Sequence, residues 1–339
     1  MCLEILLIGG TGTISMAITR RLLLQGHHVT LLNRGSRKAE LPEGAAVICC
    51  DITNEAETAK ALAGRTFDAV GEFIGFRPEQ VMRDVRLFAG KTKQYLYISS
   101  ASAYQKPPSD SVITESTPLA NPYWQYSRDK IACEEYLMAQ YRENGFPVTI
   151  VRPSHTYDER AVPLGVHGKN GSWQVIRRIM EGKPVIIHGD GTTYWTITHN
   201  TDFAKGYCGL IGNVHAIGQA YHITSDEQVT WNQIYQCIAD AVGMPLHACH
   251  IASEFLAAVS DYDLEGSLIG DKAISVHFDN SKIKRAVPEF QATVRADQGI
   301  RQTIAHILAH PELQTPDPEF DAWCDRVIEA YEKLKGELA

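Results

Sequence analysis

The chain has no apolar run approaching the roughly 18–20 residues needed to span a bilayer, so no membrane-spanning helix is expected. It also lacks a basic excess: 32 Lys and Arg face 40 Asp and Glu, for a net charge of −8. Nucleic acid and anionic membranes reward clustered cations, so neither is expected as a partner. The eight cysteines include no C-x-x-C pair. The early apolar run, residues 3–8, is too short for a signal peptide and contains Glu4. Reduced thiols and a cytoplasmic location are therefore expected. No internal repeat or low-complexity segment is evident. What remains is an ordinary globular composition, 44% hydrophobic and 21% charged, in a chain of 339 residues that is too long for one small core.

The first half alternates strand and helix patterns. Apolar runs at residues 3–8, 29–32, 46–50, 69–70 onward, 95–98 and 147–151 read as buried parallel strands. Between them, helical spacing begins at Thr13 and recurs near residues 55–62, 79–88 and from 126 onward. This βαβ march predicts an α/β fold with a doubly wound parallel sheet. The second half is less regular. Short strands are expected at 185–188 and 219–223, a helix at 231–242, and a loop closing over a site at 165–173. Residues 1–165 are read as the dinucleotide-binding part, with later segments near 185–225 contributing. Residues 166–310 form mainly a smaller, interleaved substrate lobe, and 311–339 a linker and an amphipathic closing helix with Trp323, Val327, Tyr331 and Leu334 on one face.

The chemistry starts at Gly9-Gly10-Thr11-Gly12-Thr13-Ile14-Ser15. Glycines between a buried strand and a helix let backbone N–H groups approach a pyrophosphate, which the helix N-terminus also favours. Gly9, Thr11, Gly12, Thr13 and Ile14 are the expected contacts, although Ser15 stands where a third glycine would pack most tightly. The second strand ends in Asn33-Arg34-Gly35-Ser36-Arg37, without the acid that usually holds an NAD ribose. Two arginines there favour NADP over NAD. Asp51 and Ile52, just past the third strand, are placed to meet the adenine.

Tyr126 and Lys130 lie one helical turn apart and share a face. An ammonium group and a cationic nicotinamide would both lower the tyrosine pKa, making Tyr126 an acid–base group, while Lys130 could also fix the nicotinamide ribose. Ser100, ending a hydrophobic strand, would orient the substrate oxygen.

These features together resemble the extended short-chain dehydrogenase/reductases, the NAD(P)-dependent epimerase/dehydratase group. The likeness runs from Leu3 to about Phe290. It rests on Gly9-Gly10-Thr11-Gly12, Asp51-Ile52, Ser99-Ser100-Ala101-Ser102-Ala103-Tyr104, Tyr126-x-x-x-Lys130, Arg152-Pro153, and Gly189-Asp190-Gly191 with Asp202-Phe203-Ala204. It implies a Rossmann-type fold, an NAD(P) cofactor, and Ser100, Tyr126 and Lys130 as the catalytic set. Pro153 and Ser154 would cover the nicotinamide, and Ser102 is the alternative to Ser100.

The departures narrow the reaction. Dehydratases of the group carry Asp-Glu where this chain has Ala101-Ser102, so that route to water loss is not expected. Nucleotide-sugar epimerases carry an Arg-Asp pair where Trp195-Thr196 stands, and a second arginine near Ser267 or Leu268 is also missing. Guanidinium forks are the natural ligands of a diphosphate. Ser102, His155, Trp195 and His199 are the candidate substrate contacts, with Lys272 and Arg178 weighed as substitutes for the arginines. The expected function is reversible hydride transfer at a carbinol of a sugar or nucleotide-sugar, as an epimerase or oxidoreductase. The alternative is a reductase of a non-nucleotide sugar or polyol. A third reading, a silent RNA-binding or regulatory protein like the chloroplast stem-loop proteins, fits an acidic chain poorly. A small carbohydrate-type molecule is the expected partner, no metal is expected, and a homodimer is left open. His247, Cys249 and His250 lack a second ligand pair, so they read as structural. Glu72 reads as a structural carboxylate in a buried strand.

Overall fold

Alternation along the first strand sets the plan of the molecule. In β1 (Glu4–Ile8), Ile5 and Leu7 join one apolar cluster, while Leu6 and Ile8 join another on the opposite face. A strand buried on both sides belongs inside a sheet covered by helices. The computed structural model describes residues 2–35 and 41–338. It places β1 beside β2 (His28–Asn33), which pairs in turn with β3 (Ala46–Cys49). On the other side follow β4 (Ala69–Glu72), β5 (Tyr95–Ile98), the strand Val148–Pro153 and the strand Ala220–Ile223. All seven run parallel. The order reverses between β1 and β4, where open α/β sheets place their ligand crevice.

Helix α1 (Thr13–Leu24) starts directly after the glycine turn. Past it, Gly26 takes a φ of +78°, the left-handed conformation that stops a helix at least cost. Helices α2 (Glu55–Ala61), α3 (Pro78–Phe88) and α4 (Gln125–Asn144) follow where the spacing predicted them. Pro78 opens α3 because a proline at the first helical position forfeits only an N–H that the helix cannot use.

A third apolar cluster forms around Trp231, Ile234, Ile304, Phe320 and Trp323, and takes in Ala101, Tyr104 and Ile113 from the first half. The strand Val185–His188 pairs with Ala248–Ile251 outside the main sheet, whereas Ala220–Ile223 becomes its edge strand. The closing helix Pro318–Leu338 buries Trp323 and Val327, but Leu334 is exposed. Arg178 is buried, donating to Pro184 O and pairing with Asp321 and Asp325, which fits a packing role. Cys2 and Cys49 are exposed, and all eight cysteines are free. No helix among the described residues is long and apolar enough to cross a membrane.

Candidate active site

Register fixes the glycine turn. Ile8 lies opposite Leu32 on one side and Glu72 on the other, so Gly9 emerges between the ends of β2 and β4. Gly9 has a φ of +80°, and a Cβ there would sit 2.6 Å from Ile74 Cγ2. At Gly10 a Cβ would meet Leu31 Cδ2 at 2.5 Å. Backbone therefore lies where side chains would otherwise fill the crevice. Ser15 supplies the closure that a third glycine would have left open: its hydroxyl donates to Gly9 O at 2.8 Å and accepts from Gly12 N at 2.9 Å. No acid occupies the first turn of α1, so the helix dipole is uncompensated there.

The turn forms one wall of a groove of about 490 Å³. Gly9, Thr11, Gly12, Asn33, Arg34, Asp51 and Ile52 line it. Thr13 instead faces a smaller cavity of about 170 Å³ shared with His155, His167 and Ser172, and Ile14 packs against the apolar cluster under α1. The loop at 165–173 borders that smaller cavity, and Arg37 lies outside the described residues. Arg83 was not anticipated, yet it lines the groove from α3. Glycine backbone, an uncompensated helix end and two arginines fit a dinucleotide phosphate, so the residues present suit NAD(P).

Phe76 joins this groove to a cleft of about 320 Å³: it lines the groove, and its ring lies 6.4 Å from that of Tyr126, which lines the cleft. Ser100, Ser102, Pro153, Ser154, His155 and Trp195 line the cleft. His199 does not. It begins the helix Asn200–Leu210, where its Nδ1 bonds Thr201 Oγ1 at 2.7 Å and its ring edges onto Tyr157.

The hydroxyls form a directed chain. Ser127 Oγ donates to Ser102 Oγ at 2.8 Å, and Ser102 Oγ lies 2.9 Å from Ser100 Oγ. Ser102 N also donates to Ser100 Oγ, so Ser100 is left to turn its own proton toward Tyr126. Burial raises the Tyr126 pKa above its ordinary value, and the Ser100 hydrogen bond only partly opposes this. Lys130 was expected to lower it. Instead the Lys130 ammonium donates to Gly75 O at 2.8 Å and Ile98 O at 2.7 Å, and meets Tyr126 only across the ring face, 5.9 Å from its centroid. Burial brings the Lys130 pKa down to about 8.

Across the cleft, His155 Nδ1 accepts from Trp195 Nε1 at 3.1 Å. Burial lowers the His155 pKa to about 3, so the ring is neutral and its remaining proton sits on Nε2. Trp195 stacks on Trp231 at 5.5 Å and is fixed by that packing. Lys106, Asp271 and Lys272 also line the cleft. Lys106 is buried and pairs with Asp271 at 3.3 Å. Burial lowers the Lys272 pKa, with Asp271 opposing. No arginine lines this cleft among the described residues. Lys106 carried no signal in its sequence neighbourhood. Only Asn121, which donates to both Ser102 O and Gly270 O, shows how residues near 270 reach the serines.

The profile of the NAD dependent epimerase/dehydratase family matches residues 5–89 and 79–224. Among curated proteins, 2′-dehydrokanamycin reductase of Streptomyces kanamyceticus is 27% identical over 75% of this chain and 71% of its own length. A chloroplast stem-loop binding protein of Arabidopsis thaliana is 26% identical over 71% of this chain and 64% of its own length. Among solved structures, an epimerase from Methanothermobacter thermautotrophicus superposes with a TM-score of 0.76 at 17% identity, covering 92% of this chain and 94% of that one. UDP-glucuronic acid 4-epimerase from Bacillus cereus, solved with UDP-glucuronic acid and NAD, gives 0.71 at 19% identity, covering 90% of this chain and 99% of that one.

Proposed function

The chain belongs to the NAD dependent epimerase/dehydratase family, and on that premise we propose that it interconverts a ketone and a carbinol on a sugar lacking a nucleotide, using NAD(P) with NADP preferred. The observation that carries this reading is the Tyr126 hydroxyl, kept protonated by burial and hydrogen-bonded to Ser100, in a cleft that meets the glycine groove. A bound nicotinamide would supply or accept the hydride. Tyr126 Oη donates its proton to the substrate oxygen in the reductive direction and removes it in reverse. Ser100 Oγ, supported from behind by Ser102 and Ser127, donates to the same oxygen as charge develops on it. The Lys130 ammonium, held by two carbonyls and not at the Tyr126 hydroxyl, is left to fix the nicotinamide ribose. His155 Nε2 offers a donor, while Trp124 and Trp195 offer apolar walls to a sugar ring.

The absence of a guanidinium fork from the cleft supports a substrate without a diphosphate. The relative named for reducing 2′-dehydrokanamycin supports the reductive direction. Epimerisation of a nucleotide-sugar is the second reading, favoured by one observation: Lys106 and Lys272 face a single carboxylate, Asp271, which leaves one cation over. The reduced-nicotinamide absorbance band separates them. Loss of absorbance with ketosugars that carry no nucleotide supports the first reading. Turnover of nucleotide-sugars alone, by protein that purifies with tightly held dinucleotide and needs none added, establishes the second.

A further inference from the structure

Arg83 takes no part in the proton chemistry, yet it is 6% exposed and lines the dinucleotide groove. Its Nε and Nη2 both donate to Asp84 Oδ1, at 2.9 and 2.7 Å. Tyr95 holds the other carboxylate oxygen from 2.8 Å. Burial, and then the nearby Asp84, raise the Glu72 pKa well above the usual carboxylate range. Its Oε1 accepts the Ile74 N–H. Arg83 Nη1 has no hydrogen-bond partner among the described residues.

Arg34 lies in the same groove, but it is exposed. Both arginines line the groove with Asp51 and depress its pKa, after the larger effect of Thr53. Asp51 is engaged by the Thr53 N–H at 3.0 Å and hydroxyl at 2.8 Å. No other carboxylate lines the groove among the described residues, and Asp84, which pairs with Arg83, lies outside its lining. At the end of β2, Asn33 Oδ1 accepts the Gly35 N–H, and no carboxylate stands there to hold a ribose 2′-hydroxyl.

We propose that Arg83 and Arg34 form a clamp for a 2′-phosphate on the adenosine ribose, and that Arg83 contributes the larger share of the preference for NADP. This rests on the dinucleotide reading above. Arg34, in water, has its attraction screened and must be ordered on binding. Arg83 is already desolvated and held in place, so its remaining N–H groups act with little further ordering cost.

The test is calorimetric titration with adenosine 2′,5′-bisphosphate and 5′-AMP, which needs no substrate. The native protein should bind the bisphosphate at least about tenfold more tightly, in line with charge-assisted phosphate hydrogen bonds. Arg83→Met alone would strand the Asp84 carboxylate, so Arg83→Met with Asp84→Asn is the informative variant, its fold checked by near-ultraviolet circular dichroism. It should lose about tenfold or more in bisphosphate affinity while 5′-AMP changes less than about threefold. Arg34→Met should lose less than the Arg83 variant. A native protein indifferent to the 2′-phosphate overturns the NADP reading and this inference together. A native preference that survives in the Arg83 variant overturns the inference alone and leaves NADP binding to Arg34.

Discussion

The groove and the cleft meet at Phe76, yet they are assembled differently. Each groove residue follows the carboxyl end of one of the first four strands: Gly9 to Gly12 after β1, Asn33 and Arg34 at β2, Asp51 to Thr53 after β3, and Ile74 to Arg83 after β4. The cleft instead combines Ser100, Tyr126 and His155 with Trp195, Asp271 and Lys272. One region is written in short motifs at strand ends. The other depends on distant segments being brought together. Substitutions in the groove should therefore act on dinucleotide binding, and those in the cleft on substrate binding or proton transfer.

The largest effect expected from breaking this separation is at Gly9. Gly9→Val places a Cβ 2.6 Å from Ile74 Cγ2 on a residue at φ +80°, at a cost on the order of 2 kcal/mol or more. Fluorescence titration should show dinucleotide affinity falling by about thirtyfold or more, with a lower melting temperature. Lys272→Met should do the converse. Substrate KM rises about tenfold, the dinucleotide Kd is unchanged, and steady-state kinetics beside the titration read both.

A pH profile sharpens the comparison further. The Lys130 pKa is depressed to about 8, so its ammonium is present below that pH and lost above it. The Tyr126 proton is retained over the same range because burial raises its pKa. Reductive kcat/KM should thus fall on the alkaline side of pH 8, by up to about tenfold per unit, as the Lys130 charge that fixes the nicotinamide ribose is lost. Lys130→Met should remove that limb. The smallest effect is expected from Ser102→Ala, which removes the donor behind Ser100 without touching the substrate oxygen. Loss of one such hydrogen bond is worth about 1 kcal/mol, or roughly fivefold in kcat.

How far the sequence could be read follows the same division. The strands, α1, and the groove residues at Gly9, Asn33 and Asp51 were legible because periodicity and turn chemistry are local signals. Tyr126 and Ser100 were found by spacing and order. Thr13 and Ile14 turn their side chains away from the groove and His199 caps a helix outside the cleft, because adjacency to a motif does not say which way a side chain points. Lys106 and Arg83 went unseen for a different reason. Each is an unremarkable cation on paper and becomes informative only when burial and a fixed partner, Asp271 or Asp84, give it a direction. The effect of Lys130 on Tyr126 was misjudged because Gly75 O and Ile98 O, far away in sequence, claim the ammonium first.

The central claim is that Tyr126 carries the proton while the groove holds the dinucleotide independently. Single-turnover decay of the reduced-nicotinamide band, recorded with a ketosugar substrate for the native protein and Tyr126→Phe at equal dinucleotide saturation, tests it directly. The account predicts an unchanged dinucleotide Kd and a decay slowed by about a hundredfold or more in the variant. Equal decay in the two proteins would contradict it.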